Sequence, residues 1–165
     1  VPVTTDILAS YRRPSAVLRG HLARAASEPR ALAWLMGACG VMFVAQWPRL
    51  ARQTHLDGTE MEPAMGGALL GTLIFLPLVF YVVAGLSQLV LRLFGGAVTG
   101  YEARVALFWA LLAASPLALL NGLVAGFVGP GPEQGLVGAA WLAAFLWFWI
   151  TGLRTARAPA GEGRA

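Results

Sequence analysis

The chain has 165 residues, 58% of them hydrophobic and only 12% charged, about half the charge fraction of an ordinary soluble domain. A mean hydropathy of +0.67 excludes a conventional soluble fold, and the length suits one domain. All 12 basic residues are arginine against 8 acidic ones, and the single cysteine, Cys39, excludes an intrachain disulfide framework and a CxxC metal site.

Residues 1–30 are predicted to form a cytoplasmic amphipathic arm. Ile7, Leu8, Tyr11, Val17, Leu18 and Leu22 interleave with Arg12, Arg13, Arg19 and Arg24, and Pro14 divides the arm into two short helices. The four arginines mark a membrane surface. Two readings stand: an interfacial helix on the cytoplasmic leaflet, or a positive flank that sets topology. Five arginines in thirty residues do not make a nucleic-acid groove.

The transmembrane domain, 31–153, reads as four spans. The first is 31–47, seventeen residues from Ala31 to Trp47 covering about 26 Å; it ends without an A-x-A pattern, so it is expected to be an uncleaved span. The second, 66–91, lies in the charge-free stretch from Pro63 to Leu91, which is longer than one bilayer crossing, and Pro77 is its expected kink. The third, 105–128, carries Pro116 and Asn121 near its middle and stops at Gly129-Pro130-Gly131-Pro132. The fourth, 135–153, is rich in aromatics and leads to a flexible cytoplasmic tail, 154–165. The fold class is all-α, a polytopic helical bundle of four spans, with five left open.

Charge orients it. With the N-terminus inside, the inner segments hold ten arginines and the outer loops only Arg49 and Arg52, which predicts both termini cytoplasmic in a bacterial inner membrane. Trp34 and Trp47 bracket the first span, and Trp147 and Trp149 lie near the inner end of the fourth, at depths where an indole ring serves as an anchor.

No Asp, Glu, Lys, Arg or His lies inside a span, and proton relays and ion-coupled carriers use such groups or a broken helix. The possible intramembrane polar site comprises Asn121 and Gln88, with Gln46, Ser87 and Ser115 as further uncharged candidates. Asn121 either bonds a freed carbonyl or neighbouring helix, or lines a small polar cavity. Gly67-x-x-x-Gly71 and Gly122-x-x-x-Gly126 allow close helix contact, within the bundle or with another subunit. Glu102 and Arg104 are expected to form an interfacial ion pair. His21 and His55 lack partners at metal spacing, and no catalytic or nucleotide motif occurs, so no catalytic residue, metal or cofactor is assigned.

The SYRRP segment from Ser10, AQWPR from Ala45, Phe94-Gly95-Gly96 with Thr99-Gly100-Tyr101, and ALFWALLAASP from Ala106 to Pro116 resemble small Yip1-domain membrane proteins of the alphaproteobacterial type, over roughly residues 4–155. The resemblance implies a multispanning bundle, often of about five helices. Eukaryotic members bind prenylated GTPases, but their acidic-Leu-Tyr-Gly-Pro motif is absent and only Gly100-Tyr101 resembles their second motif, so GTPase binding is not carried over.

The expected function is that of a non-enzymatic membrane organiser, scaffold or accessory subunit of a larger complex. Its partners are membrane lipids and other integral membrane subunits, with homo-oligomerisation left open. The alternative is a small permease or channel component working as an oligomer. A carrier would show a polar cavity to mid-depth; an organiser would show a packed bundle with small-residue faces exposed.

Overall fold

The computed structural model describes residues 2–157. Its elements are α1 (Val3–Ser10), α2 (Pro14–Ala23), α3 (Glu28–Asp57), α4 (Met61–Leu70), a π-helical turn (Gly71–Phe75), α5 (Leu76–Leu93), α6 (Gly100–Phe127) and α7 (Pro132–Arg157). Four helical segments are long and apolar enough to cross a membrane: α3, the continuous α4–π–α5 rod of 33 residues, α6 and α7. The protein is an all-α, multi-pass membrane protein, with no strand among the described residues.

The helices outrun the apolar segments that define the spans. The first apolar segment ends at Trp47, but α3 continues through Pro48 to Asp57. A proline removes one backbone donor and strains the preceding turn, yet here the helix runs on for nine further residues. Gly58, in the left-handed conformation (φ 64°), ends the helix and Thr59 N–H bonds back to the Thr54 carbonyl. Arg49 and Arg52, expected in a loop, therefore sit on this last stretch of α3. Arg52 Nη1 donates to the carbonyls of Gly126 and Phe127 at the end of α6 (3.3 and 3.5 Å), where a cation meets the negative end of the helix dipole. Likewise α7 runs to Arg157, so the segment taken for a tail starts as helix; residues 158–165 of that tail lie outside the described residues.

The long second rod absorbs Pro77 by changing its hydrogen-bond register. In the π turn the Leu76 N–H bonds to the Gly71 carbonyl five residues back, just ahead of a proline that has no N–H to give. The widened turn buries Thr72 and aims it at α3.

Helix α6 is the hub, with α3 and α7 as its main neighbours and α5 across a third side. Its start is well specified: Thr99 Oγ1 accepts from the Glu102 N–H (3.2 Å), and Glu102 Oε2 accepts from the Thr99 N–H (2.8 Å), a reciprocal capping box. Glu102 is thereby used, and Arg104 turns instead to Glu28 of α3. This corrects the expected Glu102–Arg104 pair, because residues two apart do not share a helix face.

The half of α6 beside the N-terminal arm, here the inner half, is buried on all sides from Ala103 to Ser115 apart from Arg104, whereas much of the opposite, outer half is exposed. Lipid is as apolar as leucine, so this closeness depends on van der Waals packing. Ala103, Ala106, Ala110, Ala113 and Ala114 let neighbours approach, while Leu107, Phe108 and Leu111 fill the spaces between them.

Candidate functional site

The N-terminal arm is a helical hairpin docked on the bundle. Pro14 opens α2 as its first residue, a position where a missing N–H costs nothing. Leu18 and Ala106 both pack against Gly152, and α2 lies along α7 and α6. At the tip, the Tyr11 hydroxyl donates to the Ala113 carbonyl (2.8 Å) and its ring meets Phe148 edge-on at 5.0 Å. Pro116 has no N–H for the Leu112 carbonyl, one residue before Ala113, so the Tyr11 hydroxyl adds a hydrogen bond where the backbone ladder of α6 is interrupted. Ala113 lies about 14 Å along α6 from Arg104, and Phe148 about 9 Å along α7 from Arg154. The tip thus lies well along the bundle from the end that carries Arg104 and Arg154.

Arg12, Arg13, Arg19 and Arg24 are all exposed. Arg12 and Arg13 occupy the turn between the two helices. The arm is thus a hairpin packed on the bundle with its arginines on the exposed side.

Below the tip, His21 is buried (3% exposed) between Trp34 and Trp109, with ring centroids at 4.7 and 4.3 Å. Trp109 Nε1 donates to Ser10 Oγ (3.1 Å), and Ser10 donates to the Asp6 carbonyl (2.8 Å). Neither imidazole nitrogen has a hydrogen-bond partner, and the nearest carboxylate oxygen, on Asp6, stands 3.7 Å away. Burial pushes the His21 pKa down to about 4; Asp6 opposes this, and Arg24 and Arg30 add to it. The two indole faces would attract an imidazolium, but the loss of water outweighs them. Arg30 closes the inner rim, donating to the Ala25 carbonyl (2.9 Å) and to the Tyr101 hydroxyl (3.0 Å). Trp34 and Trp109 are thus a buried clasp around the arm. Trp34 is not the lipid-facing anchor expected of it, whereas Trp47 and Trp147 remain exposed.

The outer half holds a cavity of about 280 Å³ between α3, the π turn, α6 and α7. Its polar lining is Gln46, Arg49, Thr72, Asn121, Gln134 and Trp141. Gln46 Nε2 donates to Thr72 Oγ1 (2.7 Å), tying α3 to the π turn. Asn121 Oδ1 and Trp141 Nε1 are buried without a partner in the chain. No carboxylate lines the cavity, and its one charge is Arg49.

Of the residues singled out in the sequence, Asn121 lies in this cavity and Gln88 does not. With its amide oxygen turned to the nearby donors, Gln88 accepts from the Gly100 N–H and Arg92 Nη2, both at 2.9 Å. It tethers the start of α6 at the inner end. Ser87 bonds its own helix at the Val83 carbonyl (2.7 Å). The glycine pairs also separate. A methyl group on Gly122 or Gly126 would overlap the Ala45 carbonyl or Pro48, whereas nothing lies within 4 Å of one on Gly67 or Gly71. Gly122 and Gly126 serve contact inside the bundle; Gly67 and Gly71 face outward. Arg49, Thr72, Gln134 and Trp141 escaped the sequence reading as site residues, because their convergence needs the π turn and the continuation of α3. Among the described residues no group of three metal-ligating side chains comes together.

No family model, curated protein or solved structure matches the chain.

Proposed function

We propose that this protein is a non-enzymatic organiser or accessory subunit of a larger membrane assembly, in a bacterial inner membrane with both termini cytoplasmic. The observation that carries the reading is the closed inner half. From Ala103 to Ser115, α6 is enclosed by α3, α5, α7 and the docked arm, so the outer cavity ends against packed side chains. A cavity open on one side binds and does not conduct. The alternative of a small permease would require water or a solute to pass where Phe108 and Leu111 are fully buried.

The contact surface of this organiser is the outward face of the α4–π–α5 rod, where Gly67 and Gly71 leave the backbone uncovered. Both termini inside follows from the excess of arginine on the inner segments. The test is extraction in a mild, lipid-preserving detergent followed by native mass spectrometry. A stoichiometric heteromeric complex is expected, and it should be lost in the Gly67→Leu/Gly71→Leu double variant while the monomer keeps its helicity. A homogeneous monomer, or a complex indifferent to those substitutions, contradicts the reading.

A further inference from the structure

We infer that the outer cavity is a binding site for an anionic glycerophospholipid, with its phosphate and hydroxyl-bearing head group among Arg49, Gln46, Asn121, Gln134 and Trp141. The chemistry of the lining selects the head group. One guanidinium and no carboxylate favour an anion. The primary amides of Asn121, Gln134 and Gln46 offer donors and acceptors side by side, the pairing that a hydroxyl group satisfies with its own O–H and lone pairs. Asn121 Oδ1 and the Trp141 N–H are buried without partners in the chain. An unmet buried acceptor or donor costs about 1–3 kcal/mol, so a ligand or water bonded to both is favoured.

The surroundings select a lipid over a free head group. The cavity lies at one end of a seam between α5 and α7, which run in the same direction. Going inward, Phe80 meets Phe145 at 6.3 Å, and beyond them lies a second groove of about 330 Å³, lined by Val83, Leu86, Ser87, Val90, Trp149 and Leu153, in which the Ser87 hydroxyl is bonded to its own helix. The seam is thus polar at the outer end and mainly apolar toward the inner one. From Trp141 to Leu153 it runs about 18 Å along α7, comparable to one fatty acyl chain. A molecule with a charged, hydroxylated head and a hydrocarbon tail matches both ends; a water-soluble phosphate matches only the first.

The proposal is independent of any protein partner, and its test reads lipid directly. The full-length protein in detergent is incubated with phosphatidylglycerol, with phosphatidylcholine, or with free glycerol 3-phosphate, and bound adducts are counted by native mass spectrometry as collision energy rises. One phosphatidylglycerol should persist after other lipids have dissociated, at least fivefold more abundant than phosphatidylcholine. Arg49→Gln and Asn121→Leu should each reduce it fivefold or more. Trp141→Phe keeps an aromatic ring but removes the N–H together with part of the indole, and a two- to fivefold loss is expected in a protein that still folds. Arg154→Gln, which removes a charge at the far end of α7, should change nothing. Equal retention of both lipids, loss on Arg154→Gln matching that on Arg49→Gln, or no effect of Trp141→Phe in a protein of unchanged melting temperature overturns the site. Saturable binding of glycerol 3-phosphate as tight as that of the lipid overturns the lipid assignment.

Discussion

Gly126→Val is expected to destabilise the bundle by about 3 kcal/mol or more, and Gly122→Val by a similar amount. At both positions the new side chain would occupy space held by α3 backbone at Ala45 and Pro48. Backbone cannot rotate out of the way as a side chain can, so relief requires α3 and α6 to separate along their outer halves. That separation also opens the cavity and pulls Gln46 from Thr72. Gly67→Ala and Gly71→Ala meet nothing and should be neutral, or stabilising by up to about 1 kcal/mol through helix propensity. Unfolding of the purified variants in mixed detergent, followed by circular dichroism, separates the two pairs. Equal losses at all four glycines would mean that the α3–α6 crossing is looser than the structure has it.

Acidification is expected to release the N-terminal hairpin. His21 is held neutral in the docked arm with a pKa near 4, against 6.5 for the free side chain. The undocked arm therefore binds more protons between these values. Docking is at full strength above about pH 6.5, weakens as pH falls, and levels off below about pH 4, with a total loss of roughly two powers of ten in the docking equilibrium. His21→Phe keeps a ring between Trp34 and Trp109 and should abolish the dependence. Spin labels at Arg19→Cys and Thr155→Cys, in a Cys39→Ala background, report the distance from arm to α7. The distance should lengthen on going from pH 7 to pH 4.5 in the parent and stay fixed in His21→Phe. Lengthening in both proteins would place the switch elsewhere.

The all-α, multi-span architecture was legible because charge-free apolar runs of bilayer length have few alternatives. What hydropathy missed is where helices continue past the apolar run. Pro48 and the polar residues after it look like a stop, but backbone bonds, Gly58 and the Arg52 contact with the end of α6 extend α3 by ten residues. The arm was visible as two amphipathic pieces parted by Pro14. Its depth was not, because Leu18, His21 and Tyr11 read equally well against lipid or against protein until Gly152, Trp109 and Ala113 are known to face them. Asn121 could be named from its sequence position, as an amide buried five residues beyond a proline. Gln46 was named too, but Thr72 and Trp141 could not be tied to it, since they come from two other elements and only a π turn brings Thr72 inward. The two glycine motifs have identical spacing, and only tertiary contact tells the inward pair from the outward one.

The most direct test of the closed, one-sided bundle is labelling of single cysteines with a membrane-impermeant maleimide in sealed vesicles of each orientation, again in a Cys39→Ala background. Asn121→Cys should react from the outer side only, and Ala110→Cys, in the enclosed inner half of α6, should react from neither. Reaction at position 110 from the inner side, or at position 121 from both sides, would reveal a water path through the bundle and contradict the account.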